Sequence, residues 1–399
     1  MSAEPRKRFV GRKTQDGSAS STEVTRKPVR RALNQIPLDI LQDEALNEAI
    51  KLLPKNYNFE IAKTVWKIRT AQSKRVALQM PEGLLVYACV VADILEQFCN
   101  VDVIVMGDVT YGACCVDDFT AMSLGCDMLI HYAHSCLVPI DVTKIKVLYI
   151  FVTISIDEQH LVNTLKKYLT GQRLALVSTI QFNYTLHSIL EPLRMQNIQA
   201  VASQQMPLSK GEVLGCTSPR LDDTAVDAIV YIGDGRFHLE SCMIYNPDIK
   251  AYKYDPYDKS FTIEEYGHDE MRAVRKESIN KAKYSKTVGF ILGSLGRQGN
   301  PKTLELLQSK FIERGFAVVS VVLSEIFPQK LAEFTGIDCW VQIGCPRLSI
   351  DWGYAFSKPL LTPYEAMVMI GQDEWLPNNA YPMDYYATKG YGRGQLPRA

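Results

Sequence analysis

Apolar positions along this chain alternate between two rhythms. Short apolar runs led by a basic residue and closed by a turn appear as RVALQMPEG from Arg75, RLALVSTIQ from Arg173 and KTVGFILGSLG from Lys286. They read as strands. Longer stretches carry helical spacing: LVYACVVADILEQF from Leu85, EQHLVNTLKKYL from Glu158 and PKTLELLQSKFIERG from Pro301. The last has Pro at its start and Gly315 just past its end, and Thr362-Pro363-Tyr364-Glu365 has the form of a capping box. Strand–helix–strand alternation predicts parallel sheets with right-handed crossovers, and in such sheets ligands gather at the carboxyl ends of the strands.

The pattern repeats. A second segment reads DMLIHYAHSC from Asp127, DAIVYIGDGR from Asp227 and DCWVQIGCPR from Asp338, each an Asp, an apolar strand and a turn. Units of this size each make one small domain. The expected fold class is α/β, with three homologous repeats, each a small mostly parallel sheet flanked by helices, arranged around a central site. The expected divisions are a disordered basic tail over 1–35, a first repeat with a helical lead-in over 36–157, a second over 158–280 and a third over 281–377. An irregular C-terminal tail, rich in Tyr, Gly and Pro, follows over 378–399, with aromatics that could dock on a partner.

Composition narrows the function classes. The 399 residues are 47% hydrophobic and 22% charged, a soluble globular balance. Lys plus Arg and Asp plus Glu both number 44, so the basic excess of a nucleic-acid binder is missing. No apolar run is long enough for a membrane span, and the opening MSAEPRKRFVGRK has no apolar signal core. A cytoplasmic address follows as the expectation, and with it ten cysteines that are reduced thiols or metal ligands.

Three of those cysteines stand out. Cys114 lies in GDVTYGACCVDD after the strand VDVIVMG, Cys216 in GEVLGCTSPRL, and Cys345 in QIGCPRLSIDWG at the end of the third Asp-led strand. There is one per repeat, each in a loop marked by glycine, where backbone can approach a bulky ligand and N–H groups can reach sulfur. Cys89 and Cys99 on a helix and Cys339 in a strand read as buried small hydrophobes. Cys115, Cys126, Cys136 and Cys242 are intermediate, and nothing in the residues alone decides between Cys114 and Cys115. Structural zinc favours four ligands with a local cysteine or histidine pair. Three scattered thiolates suit a [4Fe–4S] cluster with one iron left open.

Other candidates are softer. His131, His134 and Cys136 form H-x-x-H-x-C; a zinc site lacks a visible fourth ligand, so polar lining of a cleft is preferred. His134 and Asp234 occupy the slot, seven residues after each repeat's Asp, that Cys345 fills, and are expected to line the substrate side. The turns Gly233-Asp234-Gly235-Arg236 and Gly293-Ser294-Leu295-Gly296-Arg297-Gln298-Gly299 could bind a carboxylate or phosphate, with Arg236, Arg297 and Arg347 as carboxylate clamps.

YGACCVDDFTA, HYAHSC, GCTSPRL, YIGDGRFH, GSLGRQGNP and IGCPRLSIDWG resemble the eukaryotic diphthamide biosynthesis family, the catalytic-type subunits of 2-(3-amino-3-carboxypropyl)histidine synthase, from about residue 60 to about residue 375. The resemblance implies three related α/β domains and a [4Fe–4S] cluster on Cys114, Cys216 and Cys345. It implies S-adenosylmethionine as co-substrate, cleaved reductively at its Cγ–S bond, and addition of the 3-amino-3-carboxypropyl radical to C2 of a histidine in elongation factor 2. The C-x-x-x-C-x-x-C motif of the usual radical enzymes does not occur, consistent with this family. Implied partners are a paralogous second subunit and a small metal-binding electron donor. Quinolinate synthase, another three-repeat, three-cysteine enzyme, and a non-catalytic cluster-binding scaffold are the competing readings.

Overall fold

The computed structural model describes residues 36–108 and 110–394; the basic tail expected over 1–35 lies outside the described residues. Sheet I contains β1 (Arg75–Gln79), β2 (Asp102–Val105), β3 (Met128–Tyr132) and β4 (Lys146–Ile150), all parallel, in the order β2-β1-β3-β4. Sheet II contains β5 (Arg173–Ser178), β6 (Gln199–Val201), β7 (Ala228–Ile232) and β8 (Lys250–Tyr254) in the parallel order β6-β5-β7-β8, extended by antiparallel β9 (Phe261–Glu264). Sheet III contains β10 (Thr287–Gly293), β11 (Ala317–Leu323), β12 (Cys339–Ile343) and β13 (Leu360–Leu361) in the parallel order β11-β10-β12-β13. The parallel strands thus follow one order in all three sheets, and helices flank them.

The recurring aspartate has a structural reason. Asp127 accepts a hydrogen bond from the Lys74 N–H at 2.8 Å, Asp227 from the Arg173 N–H at 2.7 Å, and Asp338 from the Lys286 and Thr287 N–H groups at 2.7 and 2.8 Å. In each sheet the carboxylate that opens the third strand therefore satisfies backbone donors at the start of the first. This pins the register of the two central strands, so their carboxyl ends, the second of which leads into Cys345 in sheet III, keep a fixed offset.

Helix starts follow their sequence signals. Asp157 caps Glu158–Leu169 by accepting from His160 N–H, Asn300 caps Pro301–Glu313, and Thr362 and Glu365 form the capping box of Pro363–Met369. The stretch from Leu85 is interrupted: a short turn, Glu82–Leu85, precedes the helix Ala88–Cys99. On that helix Cys89 is exposed and Cys99 only half-buried, so neither is the buried small hydrophobe expected, because the apolar stripe follows Val91, Ile94 and Leu95 instead. Cys339 is buried as expected.

The C-terminal stretch departs from a tail. Over 378–394 the backbone has only 3-10 turns, yet Tyr381, Tyr385, Tyr386 and Tyr391 are buried in the same core as sheet III. Their rings pack within the chain rather than standing out for a partner. One anchor is a buried ion pair, in which Arg275 donates to both Glu365 carboxylate oxygens at 2.7 and 2.6 Å and Tyr381 donates its hydroxyl to the same carboxylate at 3.0 Å. The Leu360 carbonyl and the Thr362 N–H take up further groups of the pair, while Arg275 Nη1 stays without a partner.

Candidate metal centre

Each candidate cysteine follows the carboxyl end of a strand. Cys114 lies in the loop between β2 and helix Asp118–Ser123, Cys216 in the connection between β6 and β7, and Cys345 is the N-cap of helix Pro346–Trp352 directly after β12. The thiols of Cys114, Cys216 and Cys345 are close enough to bear on one another's ionisation. The Cys115 hydrogen bond, then burial, then the neighbouring thiols push Cys114 well above the ordinary thiol range. Burial and then Cys345 push Cys216 up to about 12. Burial raises Cys345.

Four devices hold this arrangement. Gln79, at the end of β1, donates to the Cys115 carbonyl at 2.7 Å, while His131 Nδ1 lies 2.9 Å from the same amide's oxygen. Gln342, in β12, donates to the Cys345 carbonyl at 2.8 Å. Gly296 supplies close approach between loops: at φ +55° its missing Cβ would stand 2.6 Å from the Cys115 backbone, and the next N–H, of Arg297, donates to the Cys114 carbonyl at 2.8 Å. The Cys216 loop is held by the C-terminal segment instead. Tyr385 N–H donates to the Cys216 carbonyl at 3.1 Å, Tyr386 N–H to Thr217 Oγ1 at 2.9 Å, and Ser218 N–H to the Met383 carbonyl at 2.8 Å.

The two tyrosines differ at their hydroxyls. Tyr386 donates to the Gln298 carbonyl at 3.3 Å and also meets the Cys114 thiol, whereas the buried Tyr385 hydroxyl has no partner. Burial, and then Cys216, Cys345 and Cys114, push the Tyr385 phenol far up. An orphaned phenol among three thiols marks a place built for something polarisable. Cys115, beside the ligand candidate, accepts from Cys114 and from Gln298 Nε2 at 3.3 Å, which with nearby backbone donors lowers it to about 7 against its burial. The protein alone does not choose between them: Cys216 and Cys345 act on Cys114, while Cys115 is the neighbour that acts on Cys345.

The arginines expected as clamps are otherwise engaged. Arg297 makes a two-pronged pair with Asp118 at 2.8 and 2.6 Å and lies over the Phe119 ring. Arg347 is buried, pairs with Asp351 and Glu240, and donates to the Gly215 and Phe237 carbonyls at 3.2 and 2.8 Å. It ties the Cys345 helix to the Cys216 loop, where Gly215 leaves room for the Phe237 ring that its Cβ would strike at 1.9 Å. Arg236 pairs with Glu264 at 2.6 Å and reaches the Glu265 carbonyl at 2.8 Å. Each guanidinium is matched by carboxylates of its own chain, so these are staples. The turn Gly233–Arg236 is largely exposed and its bonds reach no candidate cysteine; Asp234 borders Tyr231 and Tyr257 rather than a central cleft. Gly293, at the end of β10, instead abuts Gly344 beside Cys345.

Histidines His131 and His134 stack edge to face at 5.4 Å, and Cys136 is exposed. Among the described residues no three His, Cys, Asp or Glu side chains close around a single metal ion, neither these nor Cys114, Cys216 and Cys345. His134 shares a cavity of about 80 Å³ with His238, Gly112 and Ala113. Burial, then His238, pushes His134 down to about 3, and burial, then Arg347, pushes His238 down to about 4.

A larger cavity, of about 370 Å³, opens beside Cys114. Arg297, Lys302, Arg393, Asn300 and Tyr386 border it, with the start of helix Pro301–Glu313. Clefts of about 520 and 620 Å³ elsewhere are lined by no cysteine. The sequence left Gln79, Gln342, Tyr385 and Tyr386 unmarked. The pair Tyr385-Tyr386 in a supposed tail was the available signal, since solvated tails rarely concentrate large aromatics.

Comparison with known proteins gives a family. The profile described as diphthamide synthesis protein matches residues 80–382. A curated Candida albicans protein, 2-(3-amino-3-carboxypropyl)histidine synthase subunit 1, is 60% identical over 98% of this chain and 95% of its own. The Saccharomyces cerevisiae protein of the same name is 56% identical over 99% and 97%. Among solved structures, Dph2 from Pyrococcus horikoshii with a 4Fe-4S cluster superposes with a TM-score of 0.69 at 24% identity, covering 83% of this chain and 94% of that one. It shares the fold of several mostly parallel sheets flanked by helices.

Proposed function

This chain belongs to the diphthamide synthesis family and is a transferase of the 2-(3-amino-3-carboxypropyl)histidine synthase kind, and from that premise we propose that it catalyses the first step of diphthamide biosynthesis with a [4Fe–4S] cluster held by Cys114, Cys216 and Cys345. The reaction moves the 3-amino-3-carboxypropyl group of S-adenosylmethionine to C2 of a histidine imidazole in elongation factor 2, releasing methylthioadenosine and a proton. The observation that supports the cluster is one core that contains buried Cys216, half-buried Cys114 packed against it and the orphaned Tyr385 hydroxyl, with half-buried Cys345 acting on the other two thiols. The cluster, when bound, would supply one electron and an open iron for a radical cleavage of the Cγ–S bond.

The residues of the chain do the rest. The three thiols give up their protons on loading, and the neutral Tyr385 and Tyr386 phenols shield them from water. We place the co-substrate in the cavity beside Cys114. There Lys302, Arg393 and the start of helix Pro301–Glu313, rather than Arg297 paired with Asp118, offer charge to its carboxylate. We also read the three sheets as copies of one ancestral unit, supported by their common strand order and aspartate ties. The partners proposed are a paralogous second subunit, in keeping with relatives called subunit 1, and a small metal-binding electron donor. A cytoplasmic address belongs to the same reading; no described helix is long and apolar enough to cross a membrane.

The test is anaerobic reconstitution with the second subunit, dithionite and S-adenosylmethionine carrying label in the carboxypropyl group. Label is expected on elongation factor 2, with methylthioadenosine as coproduct, and Cys114→Ala, Cys216→Ala and Cys345→Ala should each abolish it. Transfer that survives all three substitutions would sink the assignment, and quinolinate formed from iminoaspartate would replace it with another enzyme class.

A further inference from the structure

We propose that Tyr385 donates a hydrogen bond from its phenol to a sulfur of the cluster held by Cys114, Cys216 and Cys345, and that this bond raises the cluster's reduction potential. The inference rests on the cluster reading above.

Tyr385 is fixed from both ends. Its N–H is spent on the Cys216 carbonyl at 3.1 Å, and its carbonyl accepts from Gly392 N–H at 2.9 Å. The turn carrying Gly392 lies directly on its ring. The ring also meets Tyr386 edge to face, at 4.8 Å between centres. With backbone and ring both held, the hydroxyl has one place to point. It is buried and has no partner, and Tyr385 packs in one core with Cys216, against which Cys114 also packs. Tyr386 spends its own hydroxyl on the Gln298 carbonyl, so the two phenols are not interchangeable.

A phenol is an O–H donor, and thiolate and sulfide are acceptors. Buried polar groups are paired in folded proteins, and the exceptions call for an unseen partner. Cluster and ligand sulfurs supply one. Adding an electron makes those sulfurs more negative and strengthens the bond, so the donor favours the reduced state. Hydrogen bonds to sulfur are among the recognised determinants of cluster potential. Tyr385 acts through the cluster and is a positioning residue, not a catalytic one.

The experiment uses the full chain, reconstituted anaerobically with iron and sulfide, with midpoint potential read by electron paramagnetic resonance during a reductive titration. In Tyr385→Phe the reduced-to-oxidised ratio at fixed potential should fall about tenfold, a shift of about 59 mV to more negative values for one electron. A second variant, with a fluorotyrosine at 385, keeps the ring and strengthens the donor; its potential should move the other way. Deuterium exchange should remove one hyperfine coupling in the parent protein that is missing from Tyr385→Phe, over the background from the Tyr386 hydroxyl beside Cys114. If Tyr385→Phe fails to hold a cluster, the fluorotyrosine variant decides. Unchanged potential in the variants that load would overturn the proposal while leaving the cluster reading standing. A parent chain that assembles no cluster would overturn the reading itself.

Discussion

The loops bearing Cys114 and Cys345 and the loop bearing Cys216 do the same geometric job by different means. Within their own units the first two are held by Gln79 at the end of β1 and Gln342 in β12, each donating to a cysteine carbonyl, with the Arg297 N–H adding a bond to the Cys114 carbonyl. In sheet II the first strand ends in Ser178, whose backbone pairs with residues 211 and 213, Ser241 bonds the Leu214 carbonyl, and residues 383–386 latch the Cys216 carbonyl and the residues after it. A shared strand order therefore does not carry a shared loop-holding device. The same topology places three loops near one point, and each loop solves its own backbone hydrogen-bonding.

This contrast can be broken at its widest point by removing residues 384–399. The Cys216 loop then loses its bonds to Tyr385 and Tyr386 and sheet III loses buried tyrosines. Iron content after reconstitution should fall to background and the melting temperature by more than 10 °C, since several buried aromatics are lost at about 3–5 kcal/mol each. Normal loading would show that the latch is dispensable. Next in size is Gly296→Ala, which forces a side chain into left-handed backbone against Cys115. A cost of about 2 kcal/mol or more and a matching loss of iron are expected, read by urea unfolding and iron assay.

Smaller effects sharpen the comparison. Gln79→Ala and Gln342→Ala should each cost about 1–3 kcal/mol by leaving a buried carbonyl unsatisfied, and should weaken loading without abolishing it. If either equals the C-terminal truncation, the distinction between self-held and latched loops fails. The smallest effect is a pH slope at the cavity shared by His134 and His238. Their folded values of about 3 and 4 lie below the unfolded value near 6.5. Between those limits the unfolded chain binds more protons, so stability is complete above about pH 6.5 and is lost as pH falls towards 4. His134→Asn should flatten that slope in urea midpoints measured from pH 7 to 4.

Much of the fold was legible because its signals are local. Asn300 and Thr362 announce helix starts, and the aspartates at 127, 227 and 338 mark the third strands. The cysteines stand out in sequence because loop thiols flanked by glycine are rare. The arginines misled because a guanidinium declares its charge in sequence but not its partner: Asp118 and Asp351 were already there to meet Arg297 and Arg347. Asp234 misled because a repeat register fixes a position along a strand, not the direction of a turn after it. The C-terminal tyrosines were passed over because irregular backbone has no period to read, and only tertiary contact shows that Tyr385 and Tyr386 line the centre.

The latch over Cys216 also ties chemistry to the order of protein synthesis. Residues 383–394 are made after sheets I and II and most of sheet III, so a nascent chain can fold those sheets while the Cys216 loop is still open. Holding of the proposed cluster then has to wait until residues 383–394 have left the ribosome. A ribosome-stalled chain ending near residue 380 should take up no stable iron, while a chain carrying residues 383–394 should. A reading frame cut short before residue 383 should yield a folded shell that holds no iron.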